Sequence, residues 1–386
     1  MARRLKIAVL RDRYQTKFMT PKASRHSVKA VYFLPANKIS YRIEGLTLIA
    51  PSGADLGHFH NRIPAISGIP YVMSFESHLP RYFGGEQTGL FKFMRKQLAK
   101  PQCRRLLAMS QFAERIFLRQ HADTPEFASL RDKLEVVYPN IALPEPRLTP
   151  RKNPLPLKLV FIGAHFGRKG GAVASRAAAI ARIRGLPIHF YIISTLNAGS
   201  GVWSDPQQDN FFEPYFRLLD AENITFKRRL PNTHAIDMLR ESDFLILATF
   251  SDTFGFSALE ALSVGTPVIT TPQGALPEFV TPQKNGIMLG LDVNEMGEWI
   301  HIDRSDKGSA HYARIFRDEI ERLANELINT VASYVDKPEN LLPLRNGARD
   351  TAENMFNAAT KSSYLDDLYE QCVTETKPLK AVYPLN

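Results

Sequence analysis

The sequence predicts an α/β fold with two domains, each built around a parallel β-sheet. The chain has 386 residues, which is more than one hydrophobic core usually supports. Short apolar runs alternate with longer amphipathic stretches, an order typical of parallel sheets with helices on both faces. A segment with six prolines, residues 138–157, interrupts this alternation and cannot continue a helix or an inner strand. We therefore place a domain boundary near residue 150.

The predicted elements fall on both sides of this boundary. The strand candidates before it are 6–10, 46–50, 54–60, 71–75, 105–110 and 134–139, and those after it are 158–163, 188–194, 224–230, 243–248 and 267–271. Helices are predicted over 89–100, 111–121, 171–184, 254–264, 310–335 and 346–372. This gives an N-terminal domain over 1–150, a C-terminal domain over 151–345, and a closing helix and tail over 346–386.

The composition is that of an ordinary globular protein, with 44% hydrophobic and 23% charged residues. No apolar run reaches the roughly 18 residues of a transmembrane helix, and the basic first residues precede a stretch too short and too charged for a signal peptide. Two cysteines, Cys103 and Cys372, stand in no metal-ligand spacing, which favours a reducing compartment. We expect a cytoplasmic protein, with peripheral contact at the inner face of the membrane left open.

Positive charge is concentrated in the N-terminal half of a chain whose formal net charge is +10. Residues 1–31 hold nine basic residues against one acidic residue, and residues 91–120 hold eight against one. Such a surface suits an anionic membrane, a phosphorylated acceptor or a nucleic acid, or it is a solvated face without a specific partner. No motif that reads RNA or DNA accompanies the charge, so we expect no nucleic-acid partner.

Residues 243–278 carry most of the chemistry that can be inferred from residue types alone. They read as a strand, a polar loop, a glycine turn at Gly255, a helix that begins at Phe256, and a second strand. Backbone N–H groups at a helix N-terminus form an anion site. The N–H groups of Phe256 and Ser257 are therefore predicted to point at a phosphate.

Two carboxylates flank this turn. Glu260, about one turn into the helix, can accept two hydrogen bonds from a ribose diol, as acidic residues of dinucleotide-binding domains do. Asp252, in the loop before the helix, is predicted to face the sugar end of the ligand. The alternative is that Glu260 caps or solvates its helix and that Asp252 only complements the helix dipole.

A second loop, within residues 159–171, joins another buried strand to a helix. Its Arg168 and Lys169 follow the carboxyl end of the strand and can neutralise a diphosphate, although adjacent cations are also common on protein surfaces. The P-loop pattern is absent from the sequence, so hydrolysis of a nucleoside triphosphate has no support.

Three N-terminal residues, His58, His60 and Glu76, stand at or just past the ends of predicted strands. Each is a candidate for the acceptor side of a site at the carboxyl edge of its sheet. The alternative for the two histidines is that local backbone groups satisfy their rings. Their i, i+2 spacing is compatible with a metal, but no third ligand is evident, so no metal site is predicted.

The two C-terminal loops together resemble the donor-site signature of retaining GT-B glycosyltransferases of family 4, also called glycosyl transferases group 1. The matching positions are Gly163, Lys169, Gly170, Asp252, Glu260, Gly265, Pro267, Gly274, Pro277 and Glu278. The N-terminal half resembles the family more weakly, through residues 54–61 and 103–141.

This resemblance implies two Rossmann-like domains whose parallel sheets face across a cleft. It implies an NDP-sugar donor on the C-terminal domain, an acceptor mainly on the N-terminal domain, and hexosyl transfer with retention of anomeric configuration. No obligatory metal or other cofactor is implied. By position, Glu260 holds the ribose, Lys169 and Arg168 neutralise the leaving diphosphate, and Asp252 contacts hydroxyls of the donor sugar.

Three features depart from the family pattern. Ala164 stands where arginine is usual, the loop 11–24 has no glycine, and Glu76 stands where a histidine is common. A glycosyltransferase-like protein that binds without turnover is therefore the alternative to an enzyme, and a basic nucleic-acid-binding protein is a weaker one. A glycan or lipid-linked acceptor of surface-polysaccharide biosynthesis is consistent with the positive charge.

Overall fold

The computed structural model describes residues 3–35, 45–49, 53–82, 84–149 and 151–374. Contacts divide the chain into two units, a first unit of Met1–Ala142 with Phe356–Asn386 and a second unit of Leu143–Met355. The predicted C-terminal tail lies outside the described residues. None of the helices in the described ranges combines the length and the apolar composition of a membrane span.

The first unit is built on a six-stranded parallel sheet in the order β2-β1-β5-β7-β8-β9. The unit also contains a separate three-stranded sheet in the order β3-β4-β6. The strands are β1 (Lys6–Leu10), β2 (Ser27–Val31), β3 (Phe33–Pro35), β4 (Leu46–Ile49), β5 (Leu56–His60), β6 (Ile63–Pro64), β7 (Tyr71–Phe75), β8 (Cys103–Ala108) and β9 (Leu134–Val136).

The strands β4 and β2 show how this unit differs from the sequence pattern. The predicted strand 46–50 is confirmed as β4, but it pairs antiparallel with β3 outside the main sheet. The pattern does not predict β2, because this strand lies at the sheet edge with no fully buried residue and so has no apolar alternation to reveal it.

The helices of the first unit before the boundary are α1 (Gly89–Ala99), α2 (Gln111–His121) and α3 (Phe127–Arg131). Thr88 caps α1 by accepting the Phe91 N–H, and Ser110 caps α2 by accepting the Ala113 N–H. These caps fix the starts of both helices. The predicted helices 89–100 and 111–121 are confirmed.

The second unit contains a six-stranded parallel sheet in the order β12-β11-β10-β13-β14-β15. Its strands are β10 (Leu157–Ile162), β11 (Ile188–Ile193), β12 (Ile224–Lys227), β13 (Phe244–Leu247), β14 (Val268–Thr270) and β15 (Gly286–Met288). Counted within the unit, this is the 3-2-1-4-5-6 order of dinucleotide-binding domains. The predicted α/β class with two Rossmann-like parallel sheets is therefore confirmed.

The helices of the second unit are α4 (Gly171–Ile183), α5 (Glu213–Arg217), α6 (Asn232–Glu241), α7 (Phe256–Ser263), α8 (Ala310–Asp336) and α9 (Leu341–Phe356). The core contains an aromatic cluster in which the ring of Phe250, just after β13, lies 4.3 Å from Phe316 of α8 and 5.1 Å from Trp299. This packing anchors the loop that follows β13.

The prediction of one closing helix over 346–372 is wrong, because the chain forms two helices, α9 and α10 (Ala358–Thr374). They are separated at Asn357, whose side chain accepts the Ala359 N–H at 2.9 Å and whose backbone pairs with Ile141. An asparagine that caps a new helix ends the preceding one. The spacing of apolar residues does not reveal this break.

The helix α10 belongs to the core of the first unit. Its Leu368 and Tyr369 pack with Ile7 and Val9 of β1. The Tyr369 hydroxyl shares a hydrogen bond of 2.7 Å with Nδ1 of His58 in β5, and both residues are fully buried. This hydrogen bond connects α10 to β5 within an otherwise apolar interface.

We predict that Tyr369→Phe lowers the free energy of unfolding by about 1–3 kcal/mol, because it leaves a ring nitrogen of His58 buried without its partner. Urea unfolding followed by circular dichroism measures this. The matched control is Tyr364→Phe on the same helix, whose hydroxyl bonds Glu135 at an exposed position and should matter less. Equal effects of the two substitutions would contradict the prediction.

Candidate active site

The candidate donor site lies at the carboxyl edge of the second unit's sheet. Its two loops, 163–170 and 249–255, follow β10 and β13, which are paired neighbours in the sheet. The strand order reverses between them, because β11 and β12 lie on the outer side of β10 while β14 and β15 lie on the outer side of β13. In open parallel sheets, ligands bind outside the carboxyl ends of the strands at such a reversal.

The loop after β10 is a tight turn that brings Arg168 and Lys169 to the start of α4. Lys169 donates its backbone N–H to the His165 carbonyl oxygen at 3.1 Å. Gly170 has a φ of 87°, and a Cβ at this position would lie 2.2 Å from the Ala248 carbonyl oxygen. Only glycine allows the two loops to approach this closely.

Side chains also join the two loops. The Lys169 ammonium forms an ion pair with the Asp252 carboxylate. Arg168 donates from its guanidinium to the Ser251 carbonyl oxygen at 2.8 Å and accepts the Phe250 N–H at 2.8 Å through its own carbonyl oxygen. Both predicted cations therefore contact the loop that carries the predicted carboxylate.

Asp252 is a buried anion. Burial by itself raises the pKa of a carboxyl group, but the charges of Lys169 and Arg168, together with hydrogen bonds from Lys169 and the Thr253 backbone, bring the pKa of Asp252 below its usual value. The side chain of Lys169 remains 19% exposed. The ion pair thus places the positive charge of Lys169 nearer the surface and the negative charge of Asp252 in the interior.

The loop after β13 runs into α7 through Gly255. Gly255 has a φ of 85°, and a Cβ there would lie 2.6 Å from a methyl group of Leu276, so another residue here would be strained and would displace Leu276. The first-turn N–H groups of α7 lie at the helix end that favours an anion, and they belong to the half-buried Phe256 and Ser257. The positive end of the α7 dipole therefore lies beside Asp252 in the chain.

Glu260 is half-buried in α7. Its carboxylate accepts a hydrogen bond of 3.2 Å from the amide of Asn232, the first residue of α6, which follows β12. Asn232 therefore lies at the same carboxyl edge of the sheet. No sequence signal identifies Asn232, because the two residues are far apart along the chain.

The turn that begins at Gly274 supports the β13 loop. Gly274 has a φ of 57°, and a Cβ there would lie 2.1 Å from the Asp252 carbonyl oxygen. The next residue, Ala275, donates its N–H to the Thr253 carbonyl oxygen at 3.2 Å. A glycine in this turn is required for the loop around Asp252 to keep its shape.

Gly163 and Gly167 make room for side chains around the β10 loop. A Cβ at Gly163 would lie 3.2 Å from Cβ of Lys169, and one at Gly167 would lie 2.3 Å from the carboxylate of Asp205. Asp205 is fully buried and accepts the Gly199 N–H at 3.1 Å. No sequence signal identifies Asp205, since it stands in the long connection after β11 without any motif.

His58, one of the acceptor-side candidates, is enclosed in the first unit. It is fully buried between Tyr369 and the Ser74 hydroxyl, which lies 3.2 Å from Nε2. Burial and then the neighbouring His60 lower the pKa of His58 to about 3. The partners of this ring are therefore side chains, not the local backbone groups of the alternative interpretation.

His60 and Glu76 belong to one polar network at the carboxyl ends of β5 and β7. Nδ1 of His60 lies 3.0 Å from the Ser74 hydroxyl, and Nε2 lies 3.0 Å from the amide nitrogen of Asn61. The Asn61 oxygen accepts the Glu76 N–H at 3.2 Å, and Arg81 donates to the Glu76 carboxylate at 2.8 Å. Burial lowers the pKa of His60, so its ring is held neutral.

Metal ligands do not cluster in the part of the chain that the structure describes. Within these ranges, no three His, Cys, Asp or Glu residues are grouped so that they could hold a metal ion. His58 and His60 take their partners from serine, tyrosine and asparagine side chains.

Comparison with known proteins supplies a family for the second unit. A family model described as glycosyl transferases group 1 matches residues 156–301, which include both loops of the candidate site. Residues 156–301 are therefore similar to group 1 glycosyltransferases. Among curated relatives, it is 25% identical over 201 residues to a D-inositol 3-phosphate glycosyltransferase of Mycobacterium sp. (strain KMS), covering 49% of this chain and 44% of the relative. The chain thus spans less than half the length of that relative.

A second relative gives a similar picture. The D-inositol 3-phosphate glycosyltransferase of Corynebacterium urealyticum is 28% identical over 196 residues, covering 48% of this chain and 45% of the relative.

Solved structures show the same fold over nearly the whole chain. Sucrose-phosphate synthase from Thermosynechococcus elongatus matches with a TM-score of 0.57 and 13% identity, covering 95% of this chain and 99% of that one. HepE of Anabaena in complex with UDP-glucose matches with a TM-score of 0.57 and 13% identity, covering 95% and 100%. With the two parallel sheets, these likenesses confirm the predicted GT-B class of fold.

The second unit contains a titratable group next to the β10 loop, since Asp205 lies beside Gly167. Burial raises the pKa of Asp205 to about 7, against the opposing effects of the Gly199 N–H, the Ser204 hydroxyl and the charges of Arg168 and Lys307. The folded state therefore binds a proton on Asp205 more tightly than the unfolded state does. The resulting contribution to stability is present in acid and is lost as the pH rises from about 4 to about 7.

We predict that Asp205→Asn removes this pH dependence. Between about pH 4 and about pH 7 the wild type loses stability and the variant does not. The difference in free energy of unfolding, variant minus wild type, should therefore grow by at most about 1.4 kcal/mol per pH unit. Chemical unfolding at several pH values measures the difference. Asp209→Asn, an exposed change in the same connection, is the control and should follow the wild type. A pH-independent difference for Asp205→Asn would refute the prediction.

Proposed function

We propose that this protein transfers a sugar from an NDP-sugar donor to an acceptor, with retention of anomeric configuration. The observation that carries the proposal is the joining of two loops at the strand reversal, where Lys169 pairs with Asp252 beside the N-terminus of α7. The family match of residues 156–301 supports the same chemistry. The donor loops hold their own cations, so the proposal requires no obligatory metal.

Breaking the bond between sugar and diphosphate places negative charge on the leaving group. Lys169, Arg168 and the first-turn N–H groups of α7 supply fixed positive potential at one edge of the sheet, where this charge develops. Preorganised charges of this kind lower a barrier because they need not reorient during the reaction. In this proposal Asp252 has two roles, since it orients Lys169 and contacts hydroxyls of the donor sugar.

Glu260 is proposed to hold the ribose of the donor. A carboxylate can accept both hydrogen bonds of a ribose diol, and the amide of Asn232 keeps it at the carboxyl edge. Gly163 and Gly255 carry no side chain, and in this proposal the backbone at both positions approaches the diphosphate closely. The donor nucleotide carries uridine in this proposal, as UDP-glucose is bound by the structural neighbour HepE.

The acceptor is proposed to be a glycan or a lipid-linked intermediate held by the first unit. His60 and Glu76 are its candidate contacts, because they share one network at the carboxyl ends of β5 and β7. No acid–base pair is assigned to the acceptor proton, which passes to the departing phosphate on the same face of the sugar. Retention of configuration follows from attack and departure on one face.

The proposal predicts separate effects on binding and on turnover. Glu260→Ala should weaken NDP-sugar binding at least about tenfold, since hydrogen bonds to a charged group are lost. Lys169→Gln should lower the rate constant for donor cleavage by about 10²–10³, the range seen when one preorganised stabilising group is removed. A thermal-shift screen with a panel of NDP-sugars measures the first, and release of NDP measures the second.

The control for both variants is Glu222→Ala, which removes an exposed carboxylate of the same unit and should leave both quantities unchanged. NDP release is measured with and without an acceptor. Binding of an NDP-sugar without any release in either assay would favour the alternative of a binding protein. Absence of binding to the whole panel would reject the proposal.

Peripheral contact with an anionic membrane is proposed for α1. Its exposed positions include Lys92, Lys96 and Phe93, the last of which is 40% exposed. Basic side chains near an anionic surface contribute about 1 kcal/mol each, and an exposed aromatic ring suits the interface between headgroups and acyl chains.

We predict that liposomes containing anionic lipid retain the protein at low salt and release it at high salt. Replacing Lys92 and Lys96 by glutamate should abolish retention. The control replaces Arg182 and Lys284, two exposed cations of the second unit, by glutamate and should retain binding. Equal loss in both double variants would mean that net charge alone is responsible, and the role of α1 would be dropped.

A further inference from the structure

A cavity of about 330 Å³ opens at the amino edge of the second unit's sheet, opposite to the edge that carries the donor loops. Asp243 lies at its base, immediately before β13, and accepts the N–H of Lys158 in β10 at 2.8 Å. The strands separate this cavity from the two donor loops. The charged residues that line it are Arg147, Arg151, Lys152, Asp243, Glu339 and Arg345.

Three guanidinium groups converge on the single carboxylate of Asp243. Those of Arg147 and Arg345 lie 3.2 and 3.4 Å from the same oxygen, and that of Arg151 contacts the other oxygen. Asp243 and Arg345 are each 2% exposed. Glu339 is exposed, so water screens its charge, and it offsets little of the positive potential inside.

The arginines are not fully satisfied by this arrangement. Nε of Arg151 is buried and has no hydrogen-bond partner among the described residues, although a guanidinium carries five N–H donors. Burial and repulsion from Arg147 lower the pKa of Arg345 to about 10, even though Asp243 opposes the change. The residues that line the cavity therefore include one unused donor, Nε of Arg151, and more positive than negative charges.

We propose that this cavity binds the phosphate group of a small anion. Planar guanidinium groups bind phosphate oxygens in pairs, and Lys152 adds a flexible cation at the rim. The volume is in the range of small-molecule sites. Bound phosphate ties Arg151 and Lys152 to Arg345 of α9 and stabilises the second unit. This site does not depend on the proposed sugar transfer.

Titration calorimetry and thermal shift with inorganic phosphate and with glycerol 3-phosphate test the proposal. A ligand that binds should raise the melting temperature in proportion to the logarithm of its concentration. The ligand with the larger shift shows whether the site prefers free phosphate or a phosphate monoester. Arg151→Gln should weaken binding at least about tenfold. Lys152→Glu, an exposed change that spares the fold, should also weaken it at least about tenfold.

Two controls separate this site from the donor loops. Lys169→Gln should keep phosphate binding, because the donor loops lie at the other edge of the sheet. Arg182→Gln, an exposed charge change on α4, should keep it as well. Failure of both ligands to bind the wild type, or binding that survives Lys152→Glu but is lost in Lys169→Gln, would overturn the proposal.

Discussion

The ion pair between Lys169 and Asp252 is the contact on which the candidate site depends. It joins two loops that leave adjacent strands of one sheet, and it lies where the order of those strands reverses. A buried carboxylate without a cation would be costly, and a buried cation without a carboxylate equally so. The pair therefore fixes the relative position of the β10 and β13 loops while leaving part of the Lys169 side chain open to a ligand.

Backbone constraints around this pair explain where glycine is needed. Gly170 and Gly274 each bring one loop against the carbonyl oxygen of a neighbouring segment, and both have a positive φ. Phe250 anchors the β13 loop to the core of the second unit through its contacts with Phe316 and Trp299. The polar site is thus positioned by a rigid aromatic core on one side and by close backbone approach on the other.

The parts of the fold with a strong local pattern are predictable from the sequence. The helix α2 begins and ends as predicted because Ser110 caps it and its apolar period is regular. The edge strand β2 is not predictable, since it buries no residue fully. The closing segment is predicted as one helix rather than two because the cap at Asn357 acts through a side chain and through pairing with Ile141, neither of which the apolar period reveals.

For the candidate site, the residue types and their loops can be inferred, but their partners cannot. The contacts of Asn232 with Glu260, of Gly167 with Asp205 and of Arg81 with Glu76 depend on the strand order or on loop geometry, which a single sequence does not reveal. The roles assigned to Lys169, Asp252 and Glu260 follow from the family resemblance and stay proposals.

A crystal structure with UDP or UDP-glucose bound is the most direct measurement of the central claim. The account predicts that the diphosphate lies within about 3 Å of the Lys169 ammonium and of the first N–H groups of α7, with the ribose hydroxyls on Glu260. A nucleotide bound away from the carboxyl ends of β10 and β13, with the pair of Lys169 and Asp252 undisturbed, would contradict it.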